Sequence, residues 1–152
     1  MVKLFMGIWK YFKMKEWDET AESVSRITPD LEKARALLKV IQLREKNISF
    51  MDKAEMSTLI IESYYKIIKE LITGIMSADG YKTTSHELLI AYLAEFYKEF
   101  LRNELITLDQ LRKLRNDIAY RGVIIESDYL ERNEKTIQKI ILKLKTIINK
   151  KI

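Results

Sequence analysis

The sequence predicts an all-α fold: an antiparallel up-and-down helical bundle of four to five main helices plus an N-terminal amphipathic helix. Three observations carry this expectation. Apolar residues recur at three- and four-residue steps through most of the chain, the period of a helix with one buried side. Only 4 glycines and 1 proline are present, too few for a sandwich or barrel built on tight turns. Thr or Asp followed three residues later by Glu or Gln stands ahead of several apolar runs, the signature of a helix start. The 152 residues are enough for one domain with a true core, and an apolar share of 47% argues against a disordered chain.

Residues 1–28 read as an N-terminal amphipathic extension and 29–152 as the bundle. In the extension Phe5, Trp9, Phe12 and Glu16 lie at helical spacing, so one side is aromatic. Lys3, Lys10, Lys13 and Lys15 make the other side basic. Such a segment docks on its own core or on a partner subunit; contact with a membrane surface is the alternative.

The bundle elements follow in order. Thr28-Pro29 starts the first main helix, with Leu31, Ala34, Leu38 and Ile41 as its stripe and Asn47 as its stop. Asp52 and Glu55 open the next as a capping box. Its apolar residues, from Met56 and Ile60 through Ile67, Leu71 and Ile75 and widened by Ile61, Tyr65, Ile68 and Ile72, predict a central position. Ser77-Ala78-Asp79-Gly80 breaks it. Thr84 and Glu87 open a third helix carrying Leu89, Leu93, Phe96 and Phe100. Thr107 and Gln110 open a fourth with Leu108, Leu111, Leu114 and Ile118 inward, and Gly122 suits the left-handed residue after its end. Ser127 caps a long last helix with a heptad-like stripe of Leu130, Ile137, Ile140 or Ile141, Leu144 and Ile147 or Ile148. This stripe and the aromatic N-terminus are both candidate dimer contacts. Val123-Ile124-Ile125 is the only strand-like run, and it is too short to predict an element.

Several chemistries find no support. The absence of cysteine removes disulfides, thiolate metal sites and thiol catalysis, and suits a reducing, cytoplasmic setting. His86 is the sole histidine, so no His-rich metal site is expected, and no phosphate-loop, dinucleotide or zinc-protease motif is present. No cofactor is expected. Charges interrupt every apolar run, so no transmembrane segment is expected. The net charge of +5, from 27 basic and 22 acidic residues, permits an anionic partner without demanding one. The lysines after Glu134 read as a solvated helix end.

The most informative stretch is Leu114-Arg115-Asn116-Asp117-Ile118-Ala119-Tyr120-Arg121-Gly122. Arg115 and Asn116 together offer many donors to a phosphate or a base edge. Asn116 and Tyr120 are four apart, as are Asp117 and Arg121, with the acid first, the favourable order for a helical ion pair. The plain alternative makes Arg112, Asp117 and Arg121 surface ion pairs, Asn116 a surface amide, Tyr120 a half-buried anchor and His86 a first-turn polar residue.

Late in a helical chain, the Leu-Arg-Asn-Asp-Ile-Ala-Tyr pattern resembles the motif of the HEPN (higher eukaryotes and prokaryotes nucleotide-binding) superfamily. Asp30-Leu31-Glu32-Lys33-Ala34-Arg35 resembles that family's opening helix. Tyr81-Lys82-Thr83-Thr84-Ser85-His86-Glu87-Leu88-Leu89-Ile90 is similar to the K-x-x-S-H-x-x-L-I start of its third helix. The resemblance covers residues 29 to 150. It implies a homodimer in which two arginine motifs meet in a cleft, a small nucleotidyltransferase as antitoxin partner, and RNA or a nucleotide as ligand. It also implies that Arg115 holds the phosphate, that Asn116 holds the phosphate or orients the base, and that Tyr120 occupies the place of the catalytic histidine. Arg121 and His86 are further candidate ligand-binding residues. Transfer of the 2′-OH proton needs an acceptor near neutral pH; a histidine titrates at about 6.5 and a tyrosine at about 10. The expected function is therefore that of a catalytically weakened, dimeric HEPN-like binding protein or nucleotidyltransferase partner. An active metal-independent ribonuclease toxin, with Arg115 and Tyr120 catalytic, and a helical interaction module unrelated to HEPN are the alternatives.

Overall fold

The computed structural model of the chain describes residues 14–152. The pattern of Phe5, Trp9 and Phe12, with Lys3, Lys10 and Lys13, lies outside the described residues. From residue 14 to residue 23 the chain is not helical. The rest is predominantly helical: β1 (Val24–Arg26), α1 (Leu31–Ser49), α2 (Ser57–Asp79), β2 (Tyr81–Thr83), α3 (His86–Phe96), α4 (Arg102–Arg121) and α5 (Ser127–Lys151). None of the described helices is long and apolar enough to cross a membrane.

α2 is the centre, as its broad apolar surface predicts. Ile60, Ile61, Tyr64, Tyr65, Ile67, Ile68, Leu71, Ile72, Ile75 and Met76 are all buried, and a helix apolar over so much of its circumference is stable only when neighbours surround it. α1, α3, α4 and α5 each pack on it. α1 contributes a narrower stripe: Ala34 and Ile41 are fully buried, while Leu31 stays 37% exposed. The heptad-like stripe of α5, from Leu130 to Ile148, is spent on this core. It is therefore covered within the chain and does not serve a dimer. Gly74 lets α5 come close, since a Cβ there would lie 2.7 Å from Ile148 Cδ1.

Two short strands that the periodicity does not reveal pair antiparallel, Val24 with Thr83 and Arg26 with Tyr81. Trp17 packs edge-on against Tyr81 and Tyr92, with ring centroids 5.6 and 5.1 Å apart. Below this aromatic cluster the Asp79 carboxylate accepts from the hydroxyls of Tyr92 and Tyr97 and from Lys151 Nζ. Lys143 pairs with buried Glu104 at 2.6 Å and Lys145 with Glu45 at 2.5 Å. Three lysines of the basic C-terminal run thus tie α5 to other elements and are not merely solvated.

Most helix starts differ from the expected ones by identifiable local bonds. Residues 27–30 continue the ribbon, with Ile27 N–H donating to Gly80 O and Asp30 N–H to Ser77 O, so the cap falls on Asp30, whose carboxylate accepts from Lys33 N at 2.9 Å. Asp52 caps only its own turn, accepting from Ala54 N and Glu55 N, and α2 begins at Ser57. Thr84 N–H still bonds to Ser23 O across from the ribbon, which leaves Ser85 as the cap of α3. α4 begins before Thr107: Glu104 reaches back to Leu101 N at 2.8 Å, and the Thr107 hydroxyl donates to Asn103 O inside the helix. α1 runs two residues past Asn47, and α3 ends at Phe96, placing Phe100 in the connection. Val123-Ile124-Ile125 forms no strand; Ile125 instead seats its N–H on Thr58 Oγ1 at 2.9 Å.

Candidate anion-binding site

The inner side of α4 is set by Leu108 and Leu111, both buried. One turn on, the same side carries Arg115, which is half-buried. The following Ile118 packs against the core, and Gly122, at φ 63°, ends the helix in the left-handed region. Among the described residues no carboxylate pairs with Arg115. Arg112, one turn earlier, is already neutralised: its guanidinium donates twice to Asp109 Oδ1, at 3.1 and 2.9 Å, and lies 4.0 Å from Glu87.

His86, the first residue of α3, lies within reach of the Arg115 charge. Its Nδ1 lies 3.0 Å from the hydroxyl of Tyr65 on α2. Burial lowers the His86 pKa below its usual value, and the positive charges of Lys69, Arg115 and Arg112 lower it further. The ring therefore stays neutral near pH 7 and lies within the field of three cations. Burial likewise pushes the Tyr65 hydroxyl up to about 12, against the pull of Arg112 and Arg115. Lys69, half-buried and one turn after Tyr65 on α2, has no ion-pair partner among the described residues.

The structure thus gathers Arg115 and His86 and adds Tyr65, Lys69 and Arg112, which the sequence reading did not single out as ligand-holding. Arg112 was legible in principle, because it sits three residues from Arg115 on one helix. Lys69 and Tyr65 were not, because only the packing of α2 against α3 and α4 brings them in. The other expected residues lie apart. Tyr120 follows Leu111 by nine residues, about two and a half turns, so it faces away from the core. It is 79% exposed and is not the half-buried anchor that its spacing suggested. Asn116 is half-buried, with no hydrogen bond from its amide among the described residues. Arg121 is exposed and pairs with Asp117 at 3.4 Å, the i,i+4 pair that the sequence predicts.

The chemistry of this cluster is that of an anion receptor. Lys69, Arg112 and Arg115 outweigh the nearby Asp109 and Glu87, and all three are half-buried, where solvent screens charge less than at the surface; two of them have no carboxylate partner among the described residues. Such groups hold a phosphoryl oxygen through charge-assisted hydrogen bonds. Among the described residues no group of three histidine, aspartate or glutamate side chains is arranged to hold a metal ion. A cavity of about 530 Å³, lined by Glu45, Ile48, Tyr64, Glu134, Gln138 and Lys145, opens elsewhere, beside Tyr64. Its Lys145 is matched by Glu45 and its Lys53 by Glu134, so it carries no comparable excess of charge.

The chain matches no known-family profile and no curated protein sequence.

Proposed function

We propose that this chain is a HEPN-like, dimeric nucleotide- or RNA-binding protein that works beside a nucleotidyltransferase and is catalytically weakened. The observation that carries the reading is Arg115: a half-buried guanidinium on the inner side of α4, without a carboxylate partner among the described residues, close to the cations Lys69 and Arg112 and to neutral His86. The resemblance of residues 29 to 150 supplies the family and the class of ligand. An apolar surface supports the dimer. Tyr120 and Ile124 are 79% and 76% exposed, and Leu59 and Val123 are 47% and 36% exposed. The bond between Ile125 N and Thr58 Oγ1 draws the connection after α4 onto the start of α2, so these side chains are grouped at one end of the bundle. Weakened catalysis follows from Tyr120, which stands where the motif has histidine and makes no hydrogen bond to Arg115 among the described residues.

The test is binding of single-stranded RNA by fluorescence anisotropy across a salt series, with sedimentation of the same samples. Arg115→Ala is expected to weaken binding by about ten- to a hundredfold, the worth of a charge-assisted contact, and to reduce the salt slope by about one. Equal affinity in variant and parent would remove RNA from the reading, and a monomer at micromolar concentration would remove the dimer.

A further inference from the structure

We infer that Tyr65 holds His86 as the neutral tautomer with its proton on Nε2, and that this N–H joins Arg115 and Lys69 in holding one phosphoryl oxyanion. The inference rests on the anion-binding reading above and names the atoms and the protonation state that serve it.

Hydrogen-bond supply fixes the tautomer. Tyr65 is 4% exposed, and His86 is the only partner of its hydroxyl among the described residues. A buried hydroxyl donates wherever an acceptor is within reach, because an unmatched proton there forfeits the hydrogen bond that water would have supplied. The one acceptor here is Nδ1, at 3.0 Å. A neutral ring that accepts at Nδ1 must carry its proton at Nε2. That nitrogen has no protein partner among the described residues, so its N–H is left for a ligand. The site then consists of donors alone: the Nε2–H, the Arg115 guanidinium and the Lys69 ammonium. A donor-only site binds an oxyanion and takes no proton from it, which agrees with binding without cleavage.

The arrangement couples binding to pH. The groups acting on the ring are Tyr65 and Lys69 from α2 and Arg112 and Arg115 from α4; Asp109 of α4 acts on Tyr65 and bonds Arg112, and Glu87 is the ring's neighbour on α3. A bound anion offsets the three cations that disfavour imidazolium, so it raises the affinity of His86 for a proton. By linkage, the anion binds more tightly as pH falls, by at most about tenfold per pH unit for one proton.

Two measurements test this. Long-range ¹H–¹⁵N spectra of the ligand-free protein at pH 8 should show the Nε2–H form, and Tyr65→Phe should shift the ring toward a mixture of tautomers. An Nδ1–H ring in the parent protein would overturn the inference while leaving anion binding by Arg115 untouched. Sulfate, whose charge is constant over the range, is then titrated calorimetrically at pH 7.5, 6.5 and 5.5. Tightening is expected in the parent and in Glu87→Gln, and a flat profile in His86→Gln. A profile that persists in His86→Gln would exclude His86 as the coupled group. Failure of sulfate to bind at any pH would overturn the anion site itself, whatever the tautomer.

Discussion

A half-buried arginine without a carboxylate partner among the described residues is an unusual expense for a small bundle, since the charge loses hydration without recovering an ion pair. Arg112 shows the ordinary solution a turn earlier, with Asp109 supplied from its own helix. Arg115 shows what remains when that solution is withheld, and the contrast between two neighbouring arginines is what marks the candidate site. Tyr120 tests the other half of the motif. At 79% exposure its replacement by histidine should leave stability unchanged to within about half a kcal/mol. Tyr120→His is expected to raise metal-free RNA cleavage above background in the dimer, because Tyr120 lies on the apolar end that a second protomer would cover. A folded, dimeric variant whose cleavage is unchanged would show that no vestigial nuclease centre exists.

At the scale of elements, the long regular signals were legible and the short or tertiary ones were not. The breadth of apolar residues on α2 announced a central helix because periodicity is a property of a single segment. Gly80 and Gly122 announced helix ends because a positive φ, here 92° and 63°, is demanded locally. The ribbon was invisible because three residues give no alternation to count, and the caps of α1 and α3 shifted because backbone partners from other elements, such as Ser77 O for Asp30, decide where those helices begin. At the candidate site Arg115 and His86 could be named from their own motifs, whereas Lys69 entered only through packing. The contact of α5 with α2 is a similar tertiary fact with a measurable consequence. Gly74→Val would drive branched carbons into Ile148 and is expected to destabilise the fold by about 1–3 kcal/mol, read as a lower urea midpoint at an unchanged slope. A midpoint equal to the parent's would mean that α5 can retreat without loss.

For the whole molecule, buried phenols set the alkaline limit. Burial raises Tyr64, Tyr65 and Tyr97 to about 12, and Tyr92 is raised further by burial and by Asp79. Each folded-state value lies above the unfolded one of about 10, so the protonated phenol favours the native state. That contribution is complete below pH 10 and is lost as pH climbs from there through the folded-state values. Stability from urea melts at pH 8, 9 and 11 should be flat between the first two points and fall at the third. A flat profile through pH 11 would show that these hydroxyls are not held in their protonated form by the fold.

The ribbon has a further consequence, for the order in which the molecule assembles. Val24 and Thr83 are partners, yet all of α1 and α2 lie between them in the chain. Bringing such distant positions together costs closure entropy that six paired residues cannot repay alone. The helical hairpin of α1 and α2 has to form first and carry the two strands to each other. His86, three residues beyond Thr83, is then set in place only after that hairpin has formed, so the candidate anion site cannot be assembled before it.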